Sequence, residues 1–127
     1  MMQTTSHTND WENDFEWLRV RHLVKNALQR DDLPDMNAIL FLIGIQELGR
    51  WEKFTKEQKQ DLMHIGVCRV LEYEECYEFA GRDADGWPHY KELQPISVRG
   101  VKEQESLLRN NIIRYFYDLE KENGGLE

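Results

Sequence analysis

The feature that most constrains the fold is a segment that is apolar on nearly every side, from Ala38 to Ile45. Asp35 precedes the segment as a candidate N-cap, and Gly49 follows it where a left-handed C′ residue is expected. These signals predict a helix over residues 36–48. A helix that is apolar all round is normally buried in the centre of its domain. The other helices are therefore expected to pack around this one.

Three further helices are predicted on either side of the central one. The first begins after a cap at Asn9, and a mainly apolar stripe recurs along it at helical spacing, namely Trp11, Phe15, Leu18, His22, Leu23 and Ala27. The third begins at a Thr55 cap, which Gln58 completes as a capping box. The last helix follows Pro95, with Ser97 as a candidate cap.

The helical period is lost between the third and fourth helices. Asp85 and Gly86 lie there between two aromatic runs, which is a hairpin signal. Asp83 and Asp85 provide too few oxygen ligands for a calcium loop, so they indicate a turn. Pro88 cannot donate to a strand ladder, which would place its strand at an edge. An irregular but ordered loop is the alternative.

The predicted fold class is mainly α, a four-helix domain with a hairpin-like or irregular segment near residues 76–93. A chain of 127 residues fits one domain. We expect a disordered tail at residues 1–8, a single helical domain at 9–123 and a C-terminal tail at 124–127. Gly44 and Gly66 each lie within a predicted helix, where glycine is unfavourable. They predict that the second and third helices pass close to one another.

Charge and composition narrow the classes of partner. The chain has 16 basic and 24 acidic residues, so its net charge is 16 − 24 = −8. This balance disfavours nucleic acid, whose binding depends on neutralised phosphates, and also anionic membranes. The apolar run at 38–45 is too short to span a bilayer. The polar N-terminus lacks the apolar core of a signal peptide, and two cysteines make no disulfide framework, so a cytoplasmic location is expected.

An aromatic cluster in the hairpin-like segment is the leading candidate site. Aromatic side chains with an arginine commonly anchor protein interfaces. The members are Tyr77, Phe79, Arg82, Trp87 and Tyr90. The alternative is that these rings only cover one end of the core. The leading hypothesis is a non-enzymatic interaction module, without a cofactor, that binds a protein partner or a second copy of itself.

The second hypothesis is a metal-binding protein or a metal-dependent enzyme. Asp61 and His64 are three residues apart on one helix, so they share a face. Glu47 ends the central helix, and His89 could supply a fourth ligand. The alternative is an Asp61–His64 pair with a structural hydrogen bond. Di-iron bundles need a second Glu-x-x-His pair, which this chain lacks, so the sequence favours a protein without enzymatic activity. Cys68 is expected to be a small buried residue rather than a nucleophile.

Three blocks of the sequence carry a resemblance to a family. They are Asn37–Gly49, Gln60–Ile65 and Gly81–His89. Together they resemble a family of short, uncharacterised bacterial proteins, over roughly residues 36–93. Tyr90 stands where that family has Trp as readily, which keeps an aromatic ring. The resemblance implies a bacterial cytoplasmic protein and provides no mechanism.

Overall fold

The computed structural model describes the backbone of residues 5–122 and the side chains of residues 11–122. In this range the prediction of a mainly α chain with four helices and a hairpin is confirmed. A short 3₁₀ turn at Glu72–Glu74, which the sequence did not predict, follows the third helix. The elements are α1 (Thr5–Leu28), α2 (Met36–Leu48), α3 (Lys56–Leu71), β1 (Tyr77–Arg82), β2 (Pro88–Glu92) and α4 (Val101–Glu122).

Both ends of α2 and the start of α3 form as their sequence signals predict. The Asp35 carboxylate accepts a hydrogen bond of 3.0 Å from the amide of Ala38. Gly49 has φ 88° and closes α2 through its own N–H. At α3, the Thr55 hydroxyl accepts from the Gln58 amide at 3.1 Å, and the Gln58 side chain accepts from the Thr55 amide at 2.9 Å. Local hydrogen bonds therefore define where α2 begins and ends and where α3 begins.

The starts of α1 and α4 differ from prediction. α1 begins at Thr5 rather than after Asn9, because neither proline nor glycine interrupts the helix before Asn9. Residues 5–8 of the predicted tail therefore lie in α1, whereas residues 1–4 and the C-terminal tail lie outside the described residues. α4 begins at Val101 and not near Ser97. Gly100 intervenes with φ 89°, a backbone conformation in which a helix cannot continue.

The core consists of two clusters that meet on α2, which confirms the predicted central burial of this helix. One cluster joins all four helices through Val20, Val24, Ile39, Leu40, Ile43, Val70, Ile112, Tyr115 and Phe116. The other lies toward the hairpin and is formed by Ile45, Leu48, Phe54, Leu62 and Ile65. Phe41, Trp87 and Tyr90 pack against this second cluster. The hairpin is thus attached to the helices through apolar contact.

The residues of α1 that pack on the core are not the ones whose spacing predicts the helix. Val20 and Val24 are fully buried, and Trp17 and Leu28 pack against the same cluster. Trp11, Phe15 and Leu18 are exposed instead. At about 100° per residue, these two sets lie on roughly opposite sides of the helix. The sequence period indicates the helix but does not decide which of its two apolar faces is buried.

The predicted close approach of α2 and α3 is confirmed, with a reciprocal geometry. A Cβ atom at Gly44 would collide with the carbonyl oxygen of Leu62. A Cβ atom at Gly66 would likewise collide with the carbonyl oxygen of Leu40. Each glycine thus faces the backbone of the opposite helix. The order of the two contacts along the chain shows that α2 and α3 are antiparallel. The helices touch backbone to backbone because both positions lack a side chain.

The hairpin is an antiparallel pair in which Phe79 lies opposite Tyr90 and Gly81 opposite His89. The register shifts between Phe79 and Gly81, which marks a bulge. The amide of Gly86 donates to the Asp83 carbonyl at 2.9 Å, so the Asp-Gly segment forms the predicted turn. The hairpin packs against α3 and leaves a space between them.

We expect Gly44→Ala and Gly66→Ala each to lower the free energy of unfolding by about 1–3 kcal/mol, because a methyl group forces the two backbones apart. Alanine is otherwise the better helix former by about 1 kcal/mol, so a loss would identify the helix contact as its cause. Urea unfolding measures the change. Ser106→Ala, at an exposed position of α4, is the control and should be nearly neutral. Equal stability of the glycine variants and the wild type would contradict the contact.

Candidate functional site

A cavity of about 500 Å³ lies between α3 and the hairpin. It is within the size range of ligand pockets in proteins, and it combines apolar and polar groups as such pockets do. The residues that line it are Gln58, Asp61, His64, Ile65, Cys68, Asp83, Asp85, Trp87, Pro88, His89 and Tyr90. It contains residues from both predicted sites and is the candidate functional site of the chain.

One wall of the cavity is a face of α3. Asp61, Ile65 and Cys68 recur at intervals of four and three residues, so they share this face. Ile65 and Cys68 are buried, whereas Asp61 and His64 are exposed nearer the mouth. His64 Nε2 lies 3.5 Å from Cys68 Sγ, and the His64 ring meets Tyr77 edge to face at 6.4 Å. The wall is therefore apolar at its base and polar at its rim.

The opposite wall is organised by the carboxylate of Asp83. Its Oδ1 accepts from the amides of Asp85 at 2.9 Å and Trp87 at 3.0 Å. Its Oδ2 lies 3.0 Å from Nε2 of His89 on the second strand. The hydrogen bond with His89, followed by that from the Trp87 amide, lowers the pKa of the Asp83 carboxyl. Asp83 thus stays ionised and ties the two arms of the hairpin together.

Two aromatic rings complete the cavity. Trp87 meets Phe54 edge to face at 6.2 Å and is held against the second core cluster. Tyr90 meets Phe79 in the same way at 5.8 Å. Burial, with a smaller contribution from the charge of Glu47, raises the pKa of Tyr90 well above its usual range. Its hydroxyl therefore remains a neutral hydrogen-bond donor.

The charges around the cavity favour a cation. Three carboxylates line it, from Asp61, Asp83 and Asp85, together with two imidazoles. Neither lysine nor arginine is among the described lining residues. Carboxylates bind cations through charge-assisted hydrogen bonds, and aromatic faces attract the same ligands. This composition disfavours anions such as phosphate.

The contact between Cys68 and His64 does not form an activated thiol. Cys68 is only 2% exposed. Burial, followed by the charges of Glu72 and Glu92, raises the pKa of the Cys68 thiol to about 11. A nucleophilic cysteine needs the thiolate, which an electropositive setting provides. The expectation that Cys68 is a small buried residue is confirmed.

The structure divides the predicted aromatic cluster. Trp87 and Tyr90 line the cavity, whereas Phe79 is 49% exposed beside it and Tyr77 contacts His64. Arg82 donates to main-chain carbonyls instead of lining the cavity. Its Nη1 and Nη2 groups reach the oxygens of Leu48 (3.3 Å), Gly86 (2.8 Å) and Glu47 (2.6 Å). Arg82 thus fastens the hairpin to the C-terminus of α2, where a positive charge is favourable.

The predicted metal-ligand set is also divided. Asp61, His64 and His89 line the cavity, but Glu47 does not. The Glu47 carboxylate accepts from the Tyr115 hydroxyl at 2.9 Å and lies 3.6 Å from Nε of Arg69. Among the described side chains, those of residues 11–122, no group of three or more His, Cys, Asp or Glu is arranged to hold a metal ion. Glu47 lies near the C-terminus of α2, where its carboxylate contacts Arg69 of α3.

Sequence reasoning missed Asp83 and Asp85 as lining residues. The sequence indicates only a turn for both residues, and the structure confirms that turn. A usable signal was present, because a turn at Asp85 and Gly86 places Asp83 and His89 on facing arms of the hairpin. No sequence signal indicates that Gln58 lines the cavity, because its predicted role in the capping box is sufficient to explain the residue.

Comparisons of the chain with models of protein families, with curated proteins and with solved structures find no match. The resemblance to short bacterial proteins therefore stays a prediction. Of the four described helices, none combines the length and the apolar character that crossing a membrane requires. The geometry of the cavity is thus the main evidence about function.

We expect Asp83→Asn to lower stability at neutral pH, because the amide accepts more weakly from His89 and the turn amides. Because the pKa of Asp83 is lowered in the folded state, its carboxylate stabilises the fold. This stabilisation is fully present above the usual aspartate pKa of about 3.9. The contribution is lost as the pH falls through the lower folded-state value. Urea midpoints of the wild type and variant should therefore differ at pH 7 and converge at acidic pH, once the Asp83 carboxyl is protonated in the folded state.

Asp85→Asn is the matched control for this experiment, because Asp85 contributes its amide to the turn. Its urea midpoint at pH 7 should stay close to that of the wild type. A difference between Asp83→Asn and the wild type that persists unchanged at low pH would show that the ionised carboxylate is not responsible.

Proposed function

We propose that the chain is a non-enzymatic interaction module that receives a basic side chain, lysine or arginine, of a protein partner in the cavity between α3 and the hairpin. The observation that carries this proposal is the lining itself. Three carboxylates and two aromatic rings face one space, without lysine or arginine among the described lining residues.

The lining residues suggest different roles for the three carboxylates. Asp83 already accepts from two amides and from His89, so it contributes negative charge more than new hydrogen bonds. The carboxylates of Asp61 and Asp85 are exposed at the mouth and supply the direct acceptors. A guanidinium or ammonium group would satisfy both.

The aromatic rings favour a long basic side chain over a small inorganic cation. Trp87 and Tyr90 are half-buried, and their rings offer apolar contact to the methylene groups as well as attraction to the charge. A hydrated ion would gain nothing from the apolar contact. The partly apolar lining is thus better matched to an organic cation.

A protein partner is favoured over a free small molecule by the surface beside the cavity. The Phe79 ring packs on Tyr90 and is 49% exposed, so apolar surface continues outward from the rim. A partner that inserts a basic side chain can also cover Phe79. We also propose that the protein acts in the cytoplasm of a bacterium, as the resemblance to short bacterial proteins implies.

The proposal predicts that Asp61→Asn/Asp85→Asn weakens binding of a hexa-arginine peptide about tenfold or more. One lost charge-assisted hydrogen bond is worth roughly 1.5 kcal/mol, which corresponds to about a tenfold change in Kd. Isothermal titration calorimetry at physiological salt measures Kd. Asp31→Asn/Asp32→Asn, in the loop before α2, removes the same charge elsewhere and should change Kd less than about twofold.

Equal effects of the two double variants would contradict the proposal, because binding would then depend only on the net charge of −8. The same conclusion would follow if the peptide bound equally well to all three proteins. Circular dichroism of each variant checks that the helices are retained.

A divalent metal site is the second candidate, because Asp61, His64 and His89 share the lining of this cavity. It would need movement of these side chains toward one point, and it would not include Glu47. Elemental analysis of the purified protein and of His64→Ala tests it. Stoichiometric metal that is lost in the variant would place this candidate above the basic side chain, and a metal-free wild type would remove it.

A further inference from the structure

α1 carries a second apolar face that the fold leaves uncovered by the described residues. Trp11 is 64% exposed, Phe15 61% and Leu18 43%. Large exposed apolar patches on proteins commonly mark an interface. The face lies roughly opposite the buried one formed by Val20 and Val24, and it is separate from the cavity.

The spacing along this face is that of a coiled-coil seam. Trp11, Phe15, Leu18 and His22 follow one another at intervals of four, three and four residues. These are the alternating d and a positions of a heptad, which place all four side chains in a narrow stripe. A seam of this kind is complementary to another helix. The face therefore fits a helical partner better than a loop or a strand.

Charged residues flank the stripe in an ordered way. Glu12 and Arg19 occupy the e positions on one side, and Asp14 and Arg21 occupy the g positions on the other. On each side the acidic residue is nearer the N-terminus and the basic residue nearer the C-terminus. Two such helices that run in opposite directions would place acid against base on both sides.

We infer that two copies of this chain associate through α1, with the two helices antiparallel about a two-fold axis. In that arrangement Phe15 meets the Leu18 position of the second copy. On the flanks, Glu12 faces the Arg19 position and Asp14 faces the Arg21 position. The symmetry repeats each pair, which gives four attractive pairs, whereas a parallel arrangement would give only two, between Asp14 and Arg19. Charge complementarity therefore favours a second copy of this chain as the partner of α1, and it favours the antiparallel direction.

The contacts within one copy indicate which flanking pair to test. The Arg19 guanidinium is held between Glu16 at 3.0 Å and Glu120 at 2.8 Å. The Asp14 side chain is 75% exposed, and its nearest cation, on Arg109, is 3.7 Å away. Arg21 donates through Nε to the Pro34 carbonyl at 2.9 Å, and its terminal nitrogens make no hydrogen bond to the described residues. Asp14 and Arg21 are thus the freer pair.

The apolar seam is tested by sedimentation equilibrium of the full chain. The wild type should be a dimer at micromolar concentration, and Phe15→Lys should be monomeric, with Kd raised at least about a hundredfold. Leu93→Lys is the matched control, because Leu93 is 47% exposed but lies after the hairpin, and this variant should remain dimeric. Retained helicity shows that Phe15→Lys still folds, as the exposure of Phe15 implies.

The antiparallel direction is tested by reversing charges in two separate variants. Asp14→Arg alone creates two repulsive pairs with Arg21, and Arg21→Glu alone creates two with Asp14. Each variant should dimerise about tenfold more weakly than the wild type, since exposed ion pairs contribute less than about 1 kcal/mol each. A mixture of the two variants restores attraction in both pairs, so heterodimers should form at close to wild-type affinity.

Three outcomes would overturn the inference. The first is a wild type that stays monomeric up to about 1 mM. The second is a dimer that Phe15→Lys and Leu93→Lys affect equally, which would locate the interface elsewhere. The third is a mixture of Asp14→Arg and Arg21→Glu that gains no affinity over either variant alone, which would exclude the antiparallel pairing. Because none of these variants touches the cavity, the result is independent of the peptide experiment.

Discussion

The structure depends on the backbone contact between α2 and α3. Gly44 faces the main chain of Leu62, and Gly66 faces that of Leu40, so the two helices approach more closely than a Cβ atom at either position would allow. This proximity lets residues on both helices contribute to the two core clusters. Ile65 of α3 belongs to the second cluster with Ile45 and Leu48 of α2, and it also lines the cavity, so the same contact positions one wall of the cavity. A side chain at either glycine would therefore disturb both the core and the candidate site.

Arg82 and Arg69 contact groups on other elements of the same chain and so join those elements. Arg82 donates to carbonyls at the end of α2, and Arg69 lies beside Glu47 with its guanidinium over the rings of Tyr73 and Tyr115. Burial opposes the charge of Arg69, but its neighbours Tyr73, Glu47 and Glu72 raise its pKa overall. Among the described residues, the carboxylates at the cavity form no ion pair except that of Asp83 with His89.

The cavity and the exposed face of α1 are different kinds of surface. The cavity is concave, acidic and partly aromatic, which suits a single basic side chain. The face of α1 is a linear apolar seam with ordered charges, which suits a second helix. The seam lies on the side of α1 away from the core, so pairing through α1 would not require the fold to change. A module that is paired in this way would present two cavities to a partner, which raises its effective affinity.

The sequence by itself determined the four helices and the hairpin, both ends of α2 and the start of α3. Asp35, Gly49, Thr55 and Gln58 act through bonds to their own neighbours in the chain, so their roles can be predicted from local chemistry. Only the tertiary structure decided which apolar face of α1 is buried, because Val20 and Trp11 are equally compatible with a helix. It also decided that Glu47 pairs with Arg69 and Tyr115 instead of joining Asp61 and His64. These outcomes depend on how separate helices meet, and the spacing within one helix contains no information about that.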